Sequence, residues 1–210
     1  MRKIMGLSHE RRPHAAAGGR IVRFAYADPP YFGMAEKFYG HLHPNAADYD
    51  RIETHQALVD RMNAEYDGWA MSLTSTTLKD ILPLCPADCR VMAWVKPFAS
   101  FKPGVGVAYA WEPVIVRGGR KRERTQSTVR DWCAVNITLK RGFVGAKPRD
   151  FVIWLMEVFN VQPGDTVDDM FHGSGAVQEV LDGYMSAIAG QWQDGLFADS
   201  AAAAIGESDE

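Results

Sequence analysis

Two adjacent prolines end an apolar run in this chain. Ile21–Ala27 is apolar except for Arg23, and it stops at Asp28-Pro29-Pro30-Tyr31. Proline has no N–H to give to a sheet ladder and locks its own φ, so Pro29 and Pro30 close a strand and leave the chain extended and stiff. A carboxylate and a flat phenol ring are thereby held at the end of a buried strand. That pairing suits a planar group bearing an amine.

The rest of the chain alternates strand-like and helix-like segments. Gly68–Thr74, Arg90–Val95 and Pro113–Val116 read as further strands, the second of them closed by Lys96-Pro97. Thr166–Phe171 reads as a last strand. Tyr49–Tyr66 carries Ile52, Leu58, Val59 and Met62 at helical spacing, and Thr76–Leu84 reads as a short helix stopped near Pro83. Lys147–Asn160 is a helix with Pro148 in its first turn and Val152, Leu155, Met156 and Phe159 on one face. Ala176–Ile188 is another helix; the stretch after Tyr31 reads as a loop. Strands alternating with helices predict an α/β layer fold. At 210 residues and 47% hydrophobic, the chain suits one domain over residues 20–200, with an N-terminal arm (1–19) and a flexible acidic tail (201–210).

Charge and cysteines narrow the function classes. A net charge of −3 gives no global basic field. Cys85, Cys89 and Cys133 are an odd number and form no disulfide framework, which makes a reducing cytoplasm the simplest compartment. Cys85 and Cys89 have no second ligand pair in metal spacing, so no metal is expected. No apolar run approaches the roughly 18–20 residues of a membrane span, so no membrane partner is expected. One local exception to the charge balance stands out. Arg117, Arg120, Lys121, Arg122, Arg124 and Arg130 crowd one polar segment, a loop or hairpin. Beside a nucleic-acid site, such a run would contact phosphates.

Gly173-Ser174-Gly175 lies between the last strand and the helix at Ala176. Glycines there permit a tight turn and close backbone approach to a ligand, with the helix N-terminus supplying donors. The turn lacks the full GxGxxG spacing of dinucleotide folds and the Lys-Ser/Thr of phosphate loops.

Together these stretches resemble the DNA amino-methyltransferases that modify the exocyclic nitrogen of adenine or cytosine. Asp28–Tyr31 matches that family's Asp-Pro-Pro-Tyr motif at every position. Asp169-Met170-Phe171-His172-Gly173-Ser174-Gly175 matches its Asp-Pro-Phe-x-Gly-Ser-Gly motif except at Met170. Lys147-Pro148, Pro163-Gly164-Asp165, Trp94-Val95-Lys96 and Glu112 also look like family features in family order. With the catalytic motif first and the cofactor motif last, the order is that of the circularly permuted beta subgroup.

The resemblance implies a Rossmann-like S-adenosylmethionine-dependent methyltransferase fold. It would have a mostly parallel central sheet flanked by helices, and the C-terminus leaves room for a sheet short of one edge strand. It implies catalysis by Asp28, Pro29, Pro30 and Tyr31. Cofactor contacts would come from Asp169, Phe171, Gly173, Ser174, Gly175, Lys147 and Pro148. The segment 117–146 would be a basic recognition loop on double-stranded DNA. The implied activity is N6-adenine methylation of a base flipped from the duplex, by a stand-alone bacterial or phage modification enzyme of the restriction-modification kind. N4-cytosine methylation, RNA adenine methylation and a non-catalytic nucleic-acid-binding relative are the alternatives. In the family an acid at the end of the next strand holds the cofactor ribose, and Asp194 and Asp199 are the candidates. Asp168 stands where the family has an aliphatic strand residue.

Overall fold

The computed structural model describes residues 20–41, 43–98, 104–137, 146–173 and 175–205, with the backbone alone for 191–205. The N-terminal arm, Ser174 and the end of the acidic tail lie outside these residues, as do the side chains of Asp194 and Asp199.

Six strands form one sheet: β1 Arg23–Ala27, β2 Gly68–Ser72, β3 Arg90–Val95, β4 Trp111–Arg117, β5 Trp132–Ala134 and β6 Thr166–Asp169. Their order across the sheet is β5-β3-β4-β2-β1-β6. β1 pairs in parallel with β2 and β6, and β3 with β5. β4 runs antiparallel to both its neighbours, so it alone opposes the other five strands. The expected mostly parallel sheet is therefore present.

Alternation along the strands divides the core into two layers. Phe24 and Tyr26 of β1 face one side, with Trp94, Val114 and Val116, and meet Phe151, Val152, Leu155, Met156 and Phe159. Those five lie on α4, Arg149–Phe159, whose repeating apolar positions make one continuous buried stripe. Phe24 and Phe159 stack with centroids 4.8 Å apart. Fully burying such a side chain is worth about 1.5–3 kcal/mol. Leu181 of α5, Ala176–Ile205, closes this layer. Ala25 and Ala27 face the other side and pack with Trp69, Met71 and Ile115 against Leu58, Val59 and Met62. These belong to α2, Ile52–Glu65. The short helix α3, Leu78–Ile81, adds Ile81.

Several local readings are corrected. Pro148 is the N-cap of α4 rather than a residue of its first turn. A helix, α1 at Ala35–Tyr39, occupies part of the stretch expected to be loop. The basic segment ends in a strand, β5. Asp194 and Asp199 fall on α5, which runs unbroken for 30 residues, so neither ends a strand. Among the described residues β6 is the sheet's edge. That position explains Asp168. At the edge its side chain is half exposed, accepts the Tyr66 hydroxyl at 2.8 Å and faces Arg23 at 3.7 Å. No described helix is long and apolar enough to cross a membrane.

Candidate active site

β1 is the point where the sheet's connectivity reverses. The chain leaves β1 for β2 on one side and returns much later to β6 on the other. Ligands of open α/β sheets bind beyond the strand ends at such a point. Tyr26 lies opposite Asp169, so the two motifs leave neighbouring strands at the same end.

Lys147 organises the first of them. It precedes α4 and its side chain is only 3% exposed. Its ammonium lies 3.0 Å from Asp28 Oδ1, an ion pair whose angles fall outside those of a hydrogen bond. The same ammonium donates to Glu112 Oε2 at 3.1 Å and to the Tyr31 hydroxyl at 3.2 Å. Tyr31 in turn donates to Glu112 Oε2 at 2.9 Å. Lys96, at the end of β3, donates to the other oxygen, Oε1. Glu112 sits on β4 opposite Trp94, whose ring lies 5.0 Å from the Lys96 ammonium and 5.3 Å from that of Lys147. Two cations and two anions thus interlock around one phenol.

The burial that makes this cluster tight also shifts its protons. Loss of solvent pushes the Asp28 carboxyl above the ordinary carboxylate range, against the pull of Lys147 and with help from the charges of Glu112 and Asp169. Burial would raise Glu112 too, but the Lys147 and Lys96 ammonium groups outweigh it and hold that carboxyl low. Lys147 is held well above its usual value: burial opposes its charge, but Asp28, Tyr26 and Glu112 more than compensate. Burial also raises the Tyr31 hydroxyl, which keeps it a donor.

The second motif forms a turn over the end of β6. Asp169 Oδ1 accepts the Phe171 N–H at 3.1 Å, and Oδ2 is buried with no partner among the described residues. Burial raises this carboxyl above its ordinary value. Gly173 and Gly175 take φ of 43° and 75°, left-handed conformations that other residues rarely adopt. Phe171 rests edge-on against Tyr49 at 5.5 Å. An orphaned carboxylate oxygen beside a glycine turn fits a ligand that brings its own hydrogen-bond donor.

The sequence-predicted residues therefore divide. Asp28 and Tyr31 both meet the Lys147 ammonium, and Pro29 between them in sequence is buried. Asp169, Phe171, Gly173 and Gly175 line the neighbouring strand end. Lys147, expected at the cofactor, reaches Asp28 at the end of β1, and Pro148 caps α4 through backbone contacts to Phe151 and Val152. Lys96 and Glu112 were matched as family features without a role, and the structure places both in the cluster. Tyr49 carried no sequence signal.

The basic run lies at the opposite end of the sheet. Arg117 pairs with Trp69, near the start of β2, and the Arg120 N–H donates to the Phe159 carbonyl at the far end of α4. Several of its guanidinium groups serve the fold. Arg117 holds Asp88 and Asn63, Arg120 holds Asp165, and Arg122 holds the Ser127 and Glu157 carbonyls. Arg130 lies over the Trp132 ring at 5.3 Å. Lys121 and Arg124 are exposed. The expectation that this run sits beside the catalytic motif is corrected. β4 points opposite to its neighbours, so a segment leaving its C-terminus departs from the far rim. The segment 138–145 lies outside the described residues.

No family model and no curated protein matches the chain. Among solved structures it is similar to the crystal structure of the M1.HpyAVI–SAM complex. The TM-score is 0.52, at 13% identity over 79% of each chain. The two share a fold. This is the Rossmann-like α/β arrangement expected from the motifs.

Proposed function

We propose that this chain is an S-adenosylmethionine-dependent methyltransferase that methylates the exocyclic N6 of adenine in DNA. The observation that carries this reading is that Asp28 follows the end of β1 at the same sheet end where the Asp169 turn leaves the paired strand β6. An acceptor carboxylate and a ligand turn with an orphaned buried oxygen then lie at the same end of two paired strands. The fold shared with M1.HpyAVI, solved as a SAM complex, supports the same cofactor here.

The cofactor would supply an electrophilic methyl group. Asp169, Phe171, Gly173 and Gly175 are the residues to hold it, with the Asp169 Oδ2 oxygen suited to the ligand's ammonium or hydroxyl donors. The base amine is a poor nucleophile because its lone pair is conjugated into the ring. Asp28, whose ionised form Lys147 favours against the cost of burial, accepts an amine N–H and frees that lone pair. Because Pro29 and Pro30 fix the acceptor in place, little reorganisation accompanies reaction. The base must leave its stack to reach this position, at a cost of a few kcal/mol. The Tyr31 ring offers a flat surface that offsets part of it.

The experiment is transfer of tritiated methyl groups to DNA, followed by nucleoside digestion and mass spectrometry. N6-methyladenine is the expected product. N4-methylcytosine would redirect the target base, and no methylated nucleoside from an active preparation would overturn the reading. One observation favours a second reading, a nucleic-acid-binding relative without the cofactor: β6 is the edge among the described residues, so no described strand carries the expected ribose acid. Calorimetric titration with S-adenosylhomocysteine separates the two, since only the methyltransferase reading requires binding.

A further inference from the structure

Glu112 is the hub of the buried cluster, yet nothing in the catalytic reading requires it. One of its oxygens takes both the Tyr31 hydroxyl and the Lys147 ammonium, and the other takes Lys96. Its side chain is 16% exposed, so these contacts replace water rather than compete with it. A carboxylate buried this deeply is costly unless its partners are in place. Its position is accordingly defined by β4, which registers Glu112 opposite Trp94 in the middle of the sheet.

We propose that Glu112 is a positioning residue for the methyl-transfer site, holding Tyr31 and Lys147 on either side of Asp28 and balancing the charge that Asp28 meets. This rests on the reading of Asp28 as the amine acceptor. The charge count explains the second part. With Glu112 present, Lys96 and Lys147 face two carboxylates. Without it, Lys147 faces Asp28 alone, with no second anion to share its donors. Asp28 then becomes a weaker acceptor, bound by its own lysine instead of the substrate amine. The first part is geometric. The Tyr31 ring carries its hydroxyl on Glu112, so the surface offered to a base has one orientation rather than several. Misplacing a positioned group by about 1 Å costs about 10²-fold in rate.

Asp28 is faced by Tyr26 from its own strand, Tyr31 and Tyr39 from the following segment, Glu112 from β4, Lys147 from the start of α4 and Asp169 from β6. Of these, Glu112 is the one anion that also holds the lysine. Its removal lowers the Asp28 titration, because a neighbouring negative charge is gone. Removal of Lys96 moves it the other way, because Glu112 is then less neutralised.

The test reads Asp28 directly, by carbon NMR of labelled aspartate carboxyls, with Asp28→Asn supplying the assignment. Glu112→Gln is expected to shift the Asp28 titration to lower pH and to reduce methyl transfer about 10²-fold. Lys96→Met is expected to shift it to higher pH, and keeps the question open to measurement if Glu112→Gln does not fold. Glu112→Asp retains the charge but is too short to reach both partners. Its Asp28 titration stays near that of the unmutated protein while transfer falls. An Asp28 titration unmoved by either charge change overturns the proposal, as does full transfer by Glu112→Asp. If the unmutated protein transfers no methyl group to any nucleic acid, the methyltransferase reading falls, and the NMR shifts still decide whether Glu112 sets the charge around Asp28.

Discussion

Lys147 Nζ lies 3.0 Å from Asp28 Oδ1, although the two residues are far apart in sequence and no backbone ladder joins them. The contact ties the end of β1 to the start of α4, and it makes the Asp28 carboxylate both a chemical group and a counter-ion. Asp28→Ala is therefore expected to lower methyl transfer by roughly 10²–10⁴ while also lowering the melting temperature modestly. Glu112 still neutralises Lys147, so the stability loss stays below the full cost of an unpaired buried charge. Tritium transfer and a melting curve on the same preparation check both. Transfer at the unmutated rate would remove Asp28 from the mechanism.

Tyr31 separates ring from hydroxyl. Tyr31→Phe keeps a face for stacking and loses the bonds to Glu112 and Lys147. It is expected to lower the maximal rate severalfold with little change in the apparent affinity for DNA. Tyr31→Ala also removes stacking worth roughly 1–3 kcal/mol per base, so it weakens capture as well as turnover. Steady-state kinetics with varied DNA distinguishes the two patterns. Equal loss in both variants would assign the whole effect to the hydroxyl.

The two carboxyls of the cluster give opposite dependences on pH. The folded-state value of Asp28 is raised, so its stabilising contribution is present below the ordinary aspartate range and is lost as pH rises through the raised value. The folded-state value of Glu112 is depressed, so its contribution is present above the ordinary glutamate range and is lost as pH falls through the depressed value. As pH rises across the carboxylate range, relative stability should shift in favour of Asp28→Asn and against Glu112→Gln. Denaturant melts across that range measure it. A common direction for both variants contradicts the charge assignment.

At the glycine turn, the protein leaves room for a side chain at Gly173. Among the described residues an added Cβ would meet only the Phe171 carbonyl, at 3.7 Å. The obstacle is the backbone, at φ 43°, which a β-branched residue tolerates poorly. Gly173→Val is expected to abolish S-adenosylhomocysteine binding in calorimetry and to leave the melting curve of the unliganded protein less affected. Unaltered binding would place the cofactor elsewhere.

The basic run contains residues of two kinds. Asp165, whose side chain is 2% exposed, accepts the N–H groups of Val22 and Gln162 as well as the Arg120 guanidinium. Asp165→Ala is expected to cost about 3 kcal/mol, a fall of roughly 10 °C in a chain of this size. Lys121 and Arg124 are exposed. If both touch phosphates, replacing them with alanine reduces the log–log salt slope of DNA binding by about 1.8. An unchanged slope would make this rim a solvated surface.

Much of this architecture was legible along the chain. Five strands and the helices α2 and α4 were legible from apolar patterning and the turn residues that bound it. What could not be read is what distant residues supply. α1 starts without a capping side chain of its own. Asp50, from a later 3-10 turn, accepts the N–H groups of Ala35 and Glu36. β5 is three residues long with an exposed Trp132, and it is held by its pairing to β3 and by the Trp94 indole on the Val135 carbonyl. The two motifs could be read along the chain, but the contact of Lys147 with Asp28 could not. Its assignment depended on which strand end α4 approaches, and no local pattern encodes that.

β4 also acts as a spacer. Glu112 and Arg117 are five residues apart on one extended strand, so their Cα atoms are separated by about 17 Å. That is roughly two screening lengths at physiological ionic strength. The exposed charges of Lys121 and Arg124 are therefore felt only faintly at Asp28. Surface charge on the far rim can change sign without retuning the proton equilibria of the cleft, which leaves the two ends of the sheet free to vary independently.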